Sequence, residues 1–174
     1  MNVLTINLVF STLVFGIAAK LMLLPKLARV NPRAAILPIL TLHGLRHLGL
    51  MFLAPGATLP GLSTQFAYPA AFGDLLAAVL AVAALPAVAT QARLAVPLLW
   101  LFNIEGTLDL AVAIALANVY EVAPYLGASY WIPAFWVPAL LVTHYILFVI
   151  LVRHRSAIVG RSVATPALEH SAAV

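Results

Sequence analysis

The sequence predicts an all-α integral membrane bundle of five transmembrane helices. Three observations carry that prediction. Hydrophobic residues make up 64% of the 174-residue chain and charged residues only 8%, with a mean hydropathy of +1.10. A soluble domain is about 25% charged, so this composition could not cover a water-facing surface. Five apolar runs follow one another, each near the roughly 20 residues that a helix needs to cross a bilayer. Almost every lysine and arginine falls in alternate connections between those runs, the pattern that orients a polytopic protein.

The first run, roughly 3–24, has no Lys or Arg before Lys20 and is longer than a signal-peptide core, so it reads as a retained helix. Pro25 and the basic stretch Lys26 to Arg33 end it. The second run, roughly 34–53, carries Leu42-His43-Gly44-Leu45-Arg46-His47-Leu48 in its middle. An apolar loop from Ala54 follows, rich in Pro and Gly, and could lie as a lid over a pocket. The third run, roughly 69–89, is alanine-rich, which suits close packing of helices in lipid. Thr90 to Arg93 turns into the fourth run, roughly 95–118. Pro124 to Tyr130 leads into the fifth, roughly 132–152. The expected organisation is a transmembrane domain over 1–155 and a short, polar, disordered tail over 156–174.

The connections set the topology. Lys20, Lys26, Arg29 and Arg33 surround the first, Arg93 marks the third, and Arg153, Arg155 and Arg161 follow the fifth run. The second and fourth have none. The N-terminus is therefore expected outside and the C-terminus in the cytoplasm of a bacterial inner membrane. Tyr68, Tyr120, Tyr125, Tyr130, Trp131 and Trp136 fall near the outer ends, as an interfacial belt would. The pI near 9.9 does not indicate nucleic acid, because the basic residues are few and sit at the ends of apolar runs. The chain has no cysteine, which excludes disulfides, thiolate metal sites and cysteine acylation, and Asn2 stands where myristoylation would need a glycine.

Function is expected where charge enters the apolar runs. An arginine in hydrocarbon costs about 2.5–3.5 kcal/mol on insertion scales, so Arg46 needs partners. At about 1.5 Å rise per residue, the polar residues sort by depth into two layers. The outer layer holds Arg46, His47, Asp74 and Asp109. The central layer holds His43, Asn103, Glu105 and His144. In an α-helix His43 and His47 share a face, as do Glu105 and Asp109. Gly44, Gly49, Gly73 and Gly106 stand among them and permit close approach. Arg46 with Asp74 or Asp109 is the expected structural ion pair.

Charge counting opens the functional alternatives. With the histidines neutral, three acids against one arginine leave two excess negative charges, which low dielectric does not permit uncompensated. Either the acids hold protons, the histidines gain them, or a cation binds. His43, His47, His144 and Glu105 are candidate ligands for zinc or iron, with N and O donors suited to either. His43 and His144 are candidate axial ligands for a bis-histidine haem. Glu105, Asp109 and His43 are candidate acid–base residues of an enzyme acting on a lipophilic substrate. These combine into a pocket for a lipophilic small molecule, with or without a metal. Proton-coupled transport or a proton relay, and a structural scaffold or assembly partner, are the alternatives. Expected partners are the lipid bilayer, a lipophilic molecule, and a second copy or another membrane protein.

The segments His43-Gly44-Leu45-Arg46-His47-Leu48-Gly49, Phe72-Gly73-Asp74, Phe102 to Asp109 and Val137 to His144 together resemble a group of small, uncharacterised bacterial multipass membrane proteins. The resemblance covers most of the chain and implies a shared fold, with no activity attached. The inventory of His-x3-His with a further His and Asp also resembles that of intramembrane zinc hydrolases. Those have more helices in a different order, and no catalytic role is carried over from them.

Overall fold

Among the described residues, five helices, α1 (Val3–Lys26), α2 (Pro32–Leu53), α3 (Thr64–Ala89), α4 (Ala95–Val119) and α5 (Gly127–His154), make up most of this computed structural model. The structure describes residues 2–27, 31–154 and 158. Each helix is long and apolar enough to cross a membrane, at 22 to 28 residues. Arg29, Arg155, Arg161 and all of the expected 156–174 tail except Ile158 lie outside the described residues.

The boundaries match the apolar runs except at two helix starts. α3 begins at Thr64, with Pro69 inside its second turn, and α5 begins at Gly127, ahead of Pro133. Pro69 opens the third apolar run and Pro133 lies inside the fifth, and near a helix start the lost N–H bond involves a carbonyl close to the helix end. α3 and α4 end alike. The residue after each C-cap, Gln91 (φ 55°) and Glu121 (φ 47°), is left-handed without being glycine. The next N–H then reaches back to a carbonyl of the last turn, Ala92 to Ala87 (2.9 Å) and Val122 to Ala117 (3.1 Å). This is a glycine-free form of the reverse turn that closes helices.

Packing runs in chain order from α2 to α5, and α1 packs on α5. α3 lies between α2 and α4, while α5 touches α4, α2 and α1. Asn7 near the start of α1 donates to the Tyr130 hydroxyl near the start of α5 (3.1 Å), so these two helices start at one end of the bundle. Arg33 opens α2 and donates to the Ala89 carbonyl at the end of α3 (3.1 Å), a favourable place for a cation. The loop over Ala54 to Ser63 is tied to the α4–α5 connection. Leu59 N–H donates to the Tyr125 carbonyl (2.9 Å) and Ser129 N–H to the Ala57 carbonyl (3.0 Å). A lid over Ala54 to Tyr68 is therefore fastened at its centre, and its last residues are helix.

Two apolar clusters form the core. One, around Ile36, Leu40, Ala81, Leu99 and Leu147, fills the end where α1 finishes, and Ile158 packs into it. The other, around Phe52, Phe66, Leu110, Leu126 and Ile132, fills the opposite end. Between them lie buried His43, Arg46, Asp74, Asn103 and His144.

Candidate functional site

The site is organised by a change of helix type. α2 is α-helical from Pro32 to Gly44 and then a 3-10 helix from Leu45 to Leu53. A nine-residue 3-10 stretch is long, since such runs rarely exceed three or four residues. In 3-10 geometry residues i and i+3 eclipse. His43, Arg46, Gly49 and Phe52 therefore stand in one row, all buried, facing the other helices. The i,i+4 expectation fails here for the same reason. His47 rotates off the shared face, is exposed, and donates Nδ1–H to the Gly44 carbonyl (3.1 Å).

Arg46 is wholly enclosed and uses four of its five N–H donors. Nε–H bonds to Asp74 Oδ1 on α3 at 2.7 Å, and Nη2–H to Asp109 Oδ2 on α4. Nη1 donates to the Gly106 carbonyl and to His144 Nε2, both at 3.2 Å. Arg46 thus has both expected acids as partners, and it joins the two expected layers by reaching His144.

The partners dictate the histidine tautomers. A guanidinium only donates, so His144 Nε2 accepts and its proton is on Nδ1, which donates to Asn103 Oδ1 (2.7 Å). Asn103 Nδ2 returns a bond to the His144 carbonyl (3.3 Å). His144 is therefore neutral with both ring nitrogens engaged. The Thr143 hydroxyl bonds to the carbonyls of Ala139 and Leu140, which leaves its oxygen to accept from His43 Nε2–H (2.9 Å). His43 Nδ1 then carries a buried lone pair with no partner among the described residues.

Small residues make the space. A Cβ at Gly73 would fall on the Asp109 carboxylate, one at Gly49 on Asp74, and one at Gly106 on Arg46 and His144. Phe102, which the sequence reading does not single out, packs edge-to-face with His43 (5.0 Å between centroids) and lies beside His144 (5.2 Å).

The expected metal and haem ligands do not assemble. Among the described residues no group of three or more His, Asp or Glu could hold a metal ion. His47 faces out, both nitrogens of His144 are engaged, and Glu105 is half-buried outside the network, with Oε2 lacking a partner among the described residues. The His43 and His144 rings are 4.3 Å apart between centroids, too close to take a porphyrin between them.

A cavity of about 80 Å³ opens beside the network, within the cluster where α1 begins. Phe52, Phe66, Leu110, Ile132 and Val137 form much of its wall, Asn2, Thr5 and Asn118 are polar, and Asp74 is its only ionisable lining residue among the described residues.

Fold and site together define an all-helical five-helix bundle with a buried Arg–Asp–His network and an apolar slot beside it. The chain belongs to the family described as Domain of unknown function (DUF8737), whose model matches residues 3–152. No curated protein and no solved structure matches it.

Proposed function

We propose that the protein is a polytopic membrane protein that binds a lipophilic small molecule in the slot bordered by Asp74. The observation that carries this reading is the cavity itself, an apolar slot with one charged lining residue among the described residues, smaller than a drug-sized site of about 300 Å³ or more but with the same pairing of apolar wall and few polar groups. In this reading the five helices span the inner membrane of a bacterium. The N-terminus and the slot are outside, and the basic connections lie in the cytoplasm, as the positive-inside rule supports. The four-partner enclosure of Arg46 favours a second role for that part of the molecule, as architecture holding α2, α3, α4 and α5 in register.

The test is to extract the protein, purified in mild detergent, with organic solvent and identify what is released by mass spectrometry. A stoichiometric small molecule is expected from the wild type. It should be absent from Ala113→Phe, which fills the slot wall away from the network. Equal recovery from both proteins, or none from either, would overturn the reading.

A further inference from the structure

We infer that the slot takes a slender lipophilic cation, an alkylammonium, whose head binds the free carboxylate oxygen of Asp74. This rests on the reading of the slot as a ligand site and adds the chemistry of its occupant.

Charge is the first argument. One guanidinium stands between Asp74 and Asp109, so the triad carries one uncompensated negative charge when both are ionised. Glu105 adds a third acid outside that triad. Arg46 is wholly enclosed and does not line the slot, whereas Asp74 does. A ligand in the slot therefore meets carboxylate, with the guanidinium behind it.

Hydrogen-bonding capacity is the second argument. Asp74 is 5% exposed, and Arg46 engages its Oδ1. Oδ2 lies beside Gly49 and makes no hydrogen bond among the described residues. A carboxylate oxygen in an apolar wall takes a donor, and an ammonium supplies one with charge assistance. A zinc or calcium ion would take four or more donors. One carboxylate in an apolar wall does not offer them.

Shape is the third. Phe66 and Asp74 both line the slot and stand two turns apart on α3, about 12 Å along the axis. A volume of about 80 Å³ suits an unbranched chain and excludes a fused ring system. The carbon chain would run from Asp74 past Phe66, Phe52 and Ile132 toward Asn118.

The experiment uses the full chain in nanodiscs of zwitterionic lipid, titrated with hexylammonium, hexanol and hexanoate, read by calorimetry and by shift of the thermal midpoint. Hexylammonium should bind at least about tenfold more tightly than the other two, the worth of one charge-assisted bond. Asp74→Asn, which leaves Arg46 paired with Asp109, should erase that preference. Ala113→Leu narrows the slot without touching the network and should weaken hexylammonium, so the proposal stays testable if Asp74→Asn fails to fold. If hexanol or hexanoate binds as tightly as hexylammonium and Ala113→Leu weakens it, the charge inference is wrong while the slot stands. If hexylammonium binds Asp74→Asn or Ala113→Leu as it binds the wild type, it is partitioning into lipid and the inference falls. If no probe binds, the slot reading falls with it.

Discussion

Arg46 and His43 stand three residues apart in one row of α2, both wholly buried, and their side chains end in opposite circumstances. Arg46 reaches groups on α3, α4 and α5, which between them occupy four of its N–H donors. His43 makes one bond, to Thr143, and leaves Nδ1 unpartnered among the described residues. The difference follows from charge. A fixed cation cannot be enclosed unless several helices are shaped around it, and the glycines at 49, 73 and 106 show that shaping. A neutral imidazole can leave a lone pair idle for about 1–3 kcal/mol. Saturation therefore marks architecture, and spare capacity marks where the molecule can still take a partner.

The largest expected effect tests the saturated side. Arg46→Met leaves Asp74 and Asp109 facing each other and should cost on the order of 3–5 kcal/mol. In detergent this reads as lost monodisperse yield and a lower thermal midpoint. The triple variant Arg46→Met, Asp74→Asn, Asp109→Asn removes the stranded charges and should recover much of the loss. A single variant as stable as the triple would mean that the three groups are not coupled.

A smaller effect separates the two histidines. His144→Leu strands an Arg46 N–H and Asn103 Oδ1, and should lower stability by about 1–3 kcal/mol. His43→Leu removes an acceptor that nothing satisfies, and the Thr143 hydroxyl keeps its backbone carbonyls. Its change should stay within about 1 kcal/mol of wild type, in either direction. Thermal unfolding of both variants in one detergent checks this, and equal losses would erase the contrast between engaged and idle imidazoles.

The smallest effect concerns His47, whose ring is exposed and bonded only to its own helix. His47→Ala should shift stability by no more than about 0.5 kcal/mol. A loss matching that of His144→Leu would place His47 back among the buried polar residues and undo the 3-10 row.

Much of this site could be read from residue types alone. Arg46, Asp74, Asp109, His43, His144 and Asn103 are conspicuous because ionisable and amide groups are rare in apolar runs. Two placements differ: Glu105, expected in the central layer, stays outside the network, and the uniform α-helix that the depth and face readings assume does not hold in α2. The 3-10 stretch adds about 4–5 Å to α2 and changes the repeat from 3.6 to 3.0 residues. That substitution rotated His47 outward and drew Arg46 across to His144. A three-residue rhythm was present in His43, Arg46, Gly49 and Phe52, but four positions do not separate it from an α-helical stripe. The role of Phe102 carried no signal, since an aromatic residue in an apolar run is ordinarily core.

By itself the sequence determined the number of helices, their approximate ends and the need for buried counter-charges. Those depend on local quantities: run length, hydropathy and the free energy of putting a charge in a poor solvent. Only the tertiary structure decided which carboxylates meet Arg46, which imidazole is engaged and which idle, and that Asp74 borders a slot. Such features depend on how four helices rotate and slide against one another. A rotation of a few tens of degrees exchanges one partner for another while leaving the hydropathy of every helix unchanged.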